Sequence, residues 1–313
     1  MNWNLFVTEL TAGITHGCVY ALIALGYSMV YGILKLLNFA HGDIYMVGAF
    51  IGYGLIVVFG GPEALTVSVV LLLFLMFLCA MLGGGLLGVM IERFAYRRLR
   101  TAPRIAPLIT ALGVSFFLEN SAQLILGAQQ QSYNSFSWPS SPIALNGFMI
   151  PAQVRVSYSQ IIVVAGTIIL VIALTYFVQR TQTGKAMRAV SFDREAASMM
   201  GIDVDRVISV TFFIGSALAG AAGVMFALVF GQIYHFMGFI AGLKGFTAAV
   251  IGGIGSIPGA MIGGLIVGLA ESYATGYLPQ GSTFQNLYVF ALLILVILIR
   301  PSGLFGKAAI SKV

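Results

Sequence analysis

Val207–Phe230 reads VISVTFFIGSALAGAAGVMFALVF, 24 consecutive residues without a formal charge. A helix needs about 20 predominantly apolar residues to cross hydrocarbon. The run is continuous rather than alternating, so it predicts a spanning helix and not a barrel strand. Moving outward, comparable runs at about 10–33, 40–60, 65–91, 105–127, 158–178, 238–255, 258–277 and 284–300 bring the total to nine segments. If the pair around Ser256–Pro258 forms one re-entrant unit, eight remain.

Composition points the same way. Of 313 residues, 8% are charged, 59% are hydrophobic and 38 are glycine, with a mean hydropathy of +0.98. Soluble domains carry roughly 25% charged residues to cover their surface. The 16 basic and 10 acidic residues here cannot do so. The expected fold is an all-α polytopic membrane protein of 8–9 transmembrane helices, with a broken or re-entrant element as one option. Residues 1–313 form a single transmembrane domain, and no stretch is long and polar enough to hold a separate soluble catalytic unit.

Lysine and arginine indicate orientation. Arg93, Arg97, Arg98, Arg100 and Arg104 share one connection, and Arg180, Lys185, Arg188, Arg194 and Arg206 share another. Lys35 lies in the first hairpin, while Arg300, Lys307 and Lys312 follow the last span. Nine crossings place these 14 of the 16 basic residues on one side, leaving Arg155 and Lys244 elsewhere. The positive-inside rule makes that side cytoplasmic, with the N-terminus outside and the C-terminus inside. The formal charge of +6 is thereby a matter of topology and calls for no nucleic acid. The first basic residue is Lys35, so the first apolar run reads as a permanent span rather than a cleaved signal. Cys18 and Cys79 each lie in an apolar run and read as packing residues, not as a disulfide framework.

The longest outer loop, about 128–157, carries Gln129–Gln131, Trp138, Pro139, Pro142 and Pro151. It reads either as an external cap or as a crossover between two halves. Small residues recur at four-residue spacing in Gly13/Gly17, Gly48/Gly52, Gly84/Gly88, Gly255/Gly259 and Gly264/Gly268, a spacing that lets helices approach closely in lipid. Asn38–Gly54 and Lys244–Gly264 share a faint pattern, a polar patch leading into a Gly-rich apolar run.

Between two spans, Thr183–Arg206 reads TGKAMRAVSFDREAASMMGIDVDR. Its Ala and Met residues are compatible with a short helix that Gly201 stops, and Asp203 is placed to cap the next span. Such a helix suits docking into a groove of another protein; a solvated loop held inside by its charges is the other reading.

Ionisable residues near hydrocarbon are functional candidates because they are costly there. Asn38, His41 and Asp43 cluster near the inner end of the second span: they read either as a structural turn between two spans, or with Asn38 and Asp43 capping broken helix ends and His41 bonding within that cap or titrating near neutral pH. One His and one Asp do not make a metal ligand set. Lys244 has three readings: it snorkels outward, pairs with Glu119 or Glu271, or faces the path and attracts a substrate carboxylate. Gly252–Gly264 (GGIGSIPGAMIGG), with Gly252, Gly253 and Pro258, reads as a broken helix lining a cavity or as a tight inner turn. His16, Asn120, Gln123, Gln232 and His235 read as interhelical hydrogen-bonding groups. No catalytic residue is assigned, since the three histidines fall in separate segments and neither GxSxG nor HExxH occurs.

Glu195-Ala196-Ala197, with Gly201 and Ile202 following, resembles the EAA loop of ABC importer permeases. Leu37–Asp43 (LNFAHGD), Gly201–Arg206 leading into Val207–Gly215, Gly242–Gly264 (GLKGFTAAVIGGIGSIPGAMIGG) and Ala291–Gly306 (ALLILVILIRPSGLFG) extend the likeness over nearly the whole chain. It is similar to the branched-chain amino acid (LivH-like) class of ABC importer permease subunits. The resemblance implies a transport subunit of a bacterial plasma (inner) membrane, with alternating access coupled to separate ATPases. It implies ATPase contact through Glu195, Ala196, Ala197, Ser198 and Gly201, within a coupling loop at about 183–206. Read from the residues themselves, the candidate pathway or gating groups are Asn38, His41, Asp43, Lys244, Gly252, Gly253, Pro258 and Glu271. Implied partners are a second, homologous permease subunit in a heterodimer, two ATP-binding subunits and a soluble substrate-binding protein, all set in membrane lipid. ATP and Mg would sit on the partners, leaving this chain without a cofactor. The sequence holds no GxxxxGK[ST] loop: Gly184-Lys185 and Gly306-Lys307 are each followed by Ala. The alternatives are a permease for urea or other amides, or a free-standing secondary transporter.

Overall fold

Hydrocarbon offers no hydrogen-bonding partner, so each spanning segment bonds its own backbone, and the apolar runs become helices. The computed structural model describes residues 3–59, 69–99, 102–103, 105–133, 147–149 and 154–306. In chain order the helices are α1 (Trp3–Leu34), α2 (His41–Phe59), α3 (Val69–Ile91), α4 (Ile105–Leu126), α5 (Tyr158–Arg180), α6 (Gln182–Phe192), α7 (Arg194–Met199), α8 (Val204–Phe230), α9 (Met237–Gly252), α10 (Ile257–Tyr277) and α11 (Gln285–Ile299). A π-helical turn, Glu92–Tyr96, continues α3. Strands β1 (Gln131–Ser132) and β4 (Gln232–Ile233) pair antiparallel, as do β2 (Gly147–Met149) and β3 (Arg155–Ser157). Arg100, Arg104, Lys307 and Lys312 lie outside the described residues, as do Trp138, Pro139, Pro142 and Pro151 of the outer loop.

Seven of the helices are long and apolar enough to cross a membrane, and α9 and α11 are shorter apolar helices. Helix α9 has 16 residues, so at about 1.5 Å per residue it falls short of the roughly 30 Å hydrocarbon core. α1 starts at Trp3 rather than near residue 10, and α8 starts at Val204 because Asp203 caps it, accepting from the Arg206 amide at 3.0 Å.

α1 lies at the centre, with 89% of its most apolar window buried. It packs antiparallel on α10 through small residues. A Cβ on Gly268 would come within 2.2 Å of the Gly17 nitrogen, and one on Gly17 within 2.8 Å of the Leu265 Cα. α8 packs on α3 and α2 in the same way: Gly84 and Gly88 meet Ser216, and Gly48 meets Gly220. The expected pair Gly255/Gly259 does not belong to this set. Gly255 sits in a turn with φ +92°, so the two do not share a helix face.

The basic connections gather at one end of the bundle. Arg194 reaches the Ile33 carbonyl, Arg97 pairs with Asp205, and Lys35, Arg188, Ser256 and Phe305 line one cleft of about 580 Å³. At the opposite end the β1–β4 ribbon is fastened by the Tyr133 hydroxyl, which donates to the Ala49 carbonyl at 2.5 Å. Helices α1, α2 and α8 run from one of these ends to the other.

Candidate functional site

The connection between α5 and α8 is built by successive caps. Thr181 Oγ accepts the Gly184 amide at 3.0 Å and starts α6. Gly184 has no room for a side chain, since a Cβ would lie 2.4 Å from the Phe177 carbonyl oxygen. Asp193 ends α6 and starts α7, with its Oδ1 accepting the Ala196 amide at 3.1 Å. Gly201 then adopts φ +81°, the left-handed conformation that closes a helix. The single expected short helix is therefore two, divided at Asp193. Ala197 packs inward, whereas Glu195, Ala196, Ser198 and Gly201 are exposed. Phe192, Met199 and Met200 are 95%, 85% and 82% exposed beyond the ends of two spanning helices, an uncovered apolar tip. Arg194 ties this tip to the bundle: its Nε donates to the Ile33 carbonyl at 3.1 Å, and Nη2 donates to the same oxygen. A guanidinium on the last carbonyls of α1 also complements that helix's dipole.

Asn38, His41 and Asp43 do come together, in a packed turn. The His41 amide bonds the Asn38 carbonyl at 3.1 Å, and the Asp43 amide bonds that of Ala40 at 3.2 Å. The Tyr96 hydroxyl, in the π-helical turn, donates to Asn38 Oδ1 at 2.9 Å. The His41 ring stands edge-on to Tyr27 at 4.8 Å, against Gly26. Asp43 is fully buried beside Gly238, with Ser115 and Glu119 of α4 as its polar neighbours. Among the described residues, no three of His, Cys, Asp and Glu are grouped to hold a metal.

Lys244 does not snorkel. It is 4% exposed, and its ammonium bonds Glu271 Oε1 at 2.6 Å. Of the two acidic partners foreseen it takes Glu271, because Glu119 is placed beside Asp43. The Lys244 ammonium also lies 5.8 Å from the centre of the Tyr20 ring.

The Gly252–Pro258 segment is a tight turn between two helices, the short α9 and the spanning α10. Gly253 takes φ +101° and closes α9; Ser256 caps α10 by accepting the Gly259 amide at 3.2 Å; Pro258 occupies the first turn of α10, where no amide is needed. Gly252 faces Gly259 and the Ala248 carbonyl faces Gly263, so the helices double back along one another. The turn lies in the cleft with Lys35 and Arg188, at the basic end. The segment after α11 completes it: the amides of Leu304 and Phe305 donate to the carbonyls of Ile251 and Gly252 at 2.9 and 3.0 Å.

Sequence reasoning missed Tyr20, Tyr96 and the docking role of Arg194. His16 and Tyr20, four apart on α1, were a readable sign of a polar stripe on an otherwise apolar helix. Nothing local announced Arg194, whose partner is a carbonyl 161 residues away.

Compared with known proteins, residues 10–299 match the family described as branched-chain amino acid transport system, permease component. The chain is 40% identical to the high-affinity branched-chain amino acid transport system permease protein BraD of Pseudomonas aeruginosa, over 98% of each chain. It is also 40% identical, over 98% of each chain, to the permease protein LivH of Escherichia coli, of the same high-affinity system type. A solved structure, PsaBC from Streptococcus pneumoniae in complex with Fab, aligns with a TM-score of 0.46 at 13% identity, covering 95% of this chain and 92% of that one.

Proposed function

The chain belongs to the branched-chain amino acid transport permease family, and from that premise we propose that it is the membrane subunit of an ATP-driven importer for branched-chain or related small neutral amino acids. The observation that carries this reading is the family match, which runs through 290 residues, 10–299. It favours amino acid import over an amide permease or a free-standing secondary transporter. The work is movement, with no covalent step. Two ATPase subunits, carrying ATP and Mg, dock on the cytoplasmic side, one of them on the tip formed by Phe192, Glu195, Met199 and Met200. Their closure pushes α7, and Arg194 passes the push to the end of α1, which is packed along α10. Ligands that bind one state better than the other then shift the bundle between outward-open and inward-open forms. A second, homologous permease subunit completes the path, and a soluble binding protein supplies substrate from the side opposite the basic end. In this reading the basic end is cytoplasmic, the N-terminus is outside and the C-terminus is inside.

The test uses the chain in proteoliposomes with its permease and ATPase partners and the binding protein. ATP-dependent uptake of L-leucine is expected. Glu195→Arg reverses a charge on the docking tip and is expected to cut uptake by about tenfold or more, the scale of a lost interfacial charge contact, with assembly in the membrane unchanged. A Cys at Ser198 is expected to cross-link to an ATPase subunit. Uptake by the chain alone, without ATP, sinks the reading.

A further inference from the structure

A buried ion pair costs more to desolvate than its attraction commonly returns, so it is weak as a device for stability alone. Lys244–Glu271 is such a pair, with side-chain exposures of 6% and 5% and a single contact at 2.6 Å. Lys244 stands at the middle of α9, Glu271 stands in α10, and both face the middle of the central helix α1. The pair is incompletely satisfied. Glu271 Oε2 is buried without a hydrogen-bond partner among the described residues, and so are the Tyr45 hydroxyl and His16 Nδ1. The Tyr20 ring faces the ammonium at 5.8 Å, and its hydroxyl lies beside the Glu271 carboxylate. Four helices thus converge an ammonium, a carboxylate with a spare oxygen, two phenols and an imidazole at hydrocarbon depth, where unsatisfied polar groups are expensive.

An apolar wall adjoins these groups. The Tyr45 ring meets Phe226 at 5.7 Å, Phe226 stacks on Phe230 at 4.1 Å, and Phe230 meets His16 at 4.9 Å. A row of four rings therefore runs from the orphan Tyr45 hydroxyl back to His16.

We infer that Lys244 and Glu271 hold the place of a zwitterion: an α-amino acid in transit opens the pair, giving its carboxylate to Lys244 and the Tyr45 hydroxyl and its ammonium to Glu271 and the Tyr20 ring, with its neutral side chain against Phe226 and Phe230. The inference rests on the import reading above and adds the site and its chemistry. An α-amino acid carries the same two charges as the pair, in opposite order. It can replace the broken contact with two new ones, so neither buried charge is left bare. A singly charged molecule leaves one charge exposed to hydrocarbon, and an uncharged amide leaves both. In the absence of substrate, the re-formed pair closes the same space.

The test compares the wild-type complex with the double variant Lys244→Met/Glu271→Leu, measuring ATP-dependent L-leucine uptake in proteoliposomes. Replacing a buried pair by apolar residues of similar size commonly preserves a fold. The inference expects the double variant to assemble and hydrolyse ATP while its leucine uptake falls by about tenfold or more. Uptake at the wild-type rate overturns it, leaving the pair as a structural staple. Should the double variant fail to assemble, Tyr45→Phe decides. It deletes a hydroxyl that has no hydrogen-bond partner among the described residues. A rise in the KM for uptake of about threefold or more supports a contact with substrate, the scale of one modest hydrogen bond; unchanged kinetics overturn the inference. Failure of the wild-type complex to take up leucine would remove the import reading itself, whereas wild-type uptake with an unaffected double variant removes only the site.

Discussion

Helices α1 and α5 are both long and apolar, and α5 is the more apolar of the two, yet only 28% of its most apolar window is buried against 89% for α1. Inside a bilayer, hydropathy brings a helix into lipid but does not choose its place in the bundle, because lipid tails are as apolar as leucine. Small and polar side chains make that choice. α5 is rich in Ile and Val, and Ile168, Ile169 and Ile172 face outward, 52%, 65% and 63% exposed. α1 carries Gly13, Gly17, His16, Tyr20 and Tyr27, which let it approach α10 closely and give it polar partners. The centre of this protein is its less greasy part.

The contrast breaks most readily at Gly268. Leucine there must enter the space held by Gly17, where even a Cβ lies 2.2 Å from backbone. The expected loss is about 3 kcal/mol or more, the upper range for overpacking, seen as failure to recover folded protein from detergent. Lys244→Met comes next. It leaves the buried Glu271 carboxylate without its counter-charge, at a cost of about 3–5 kcal/mol for a buried pair broken on one side, and a lower thermal midpoint reports it. On the α5 side the effects shrink. Ser157→Ala removes the capping box with Gln160 that starts α5, a loss of about 1 kcal/mol in the same assay. Ile169→Val, on the outward face, is expected to change the midpoint by no more than about 0.5 kcal/mol equivalent. If Ile169→Val proved as damaging as Gly268→Leu, the division into a small-residue centre and a greasy periphery would be wrong.

The same distinction governs what the sequence disclosed. Apolar runs give helices wherever they are long, so a helix stands near each of the nine expected segments, seven of them long enough to span. Gly201 and Asp203 mark the end of α7 and the start of α8 because capping is local chemistry. Lys244 was recognisable as a problem to be solved, since a lysine in hydrocarbon needs a partner. Its choice of Glu271 over Glu119 was not, because it depends on α10 lying beside α9 while Glu119 is turned toward Asp43. Pairings between distant segments leave no local trace. The β1–β4 ribbon, the Tyr96–Asn38 bond and the Arg194–Ile33 bond all belong to this class. The turn at Gly252–Pro258 was ambiguous for another reason. Glycine and proline mark a break in a helix without saying whether the chain reverses within the membrane or beyond it.

The clasp formed by Leu304 and Phe305 on the carbonyls of Ile251 and Gly252 has a consequence for synthesis. The ribosome makes α9 first, then α10 and α11, and only afterwards the residues that cap α9. While the chain is being inserted, the α9–α10 hairpin holds two carbonyls whose protein donors have not yet been translated. Those carbonyls must be served by water at the bilayer surface, which keeps the hairpin turn out of the hydrocarbon until the tail arrives.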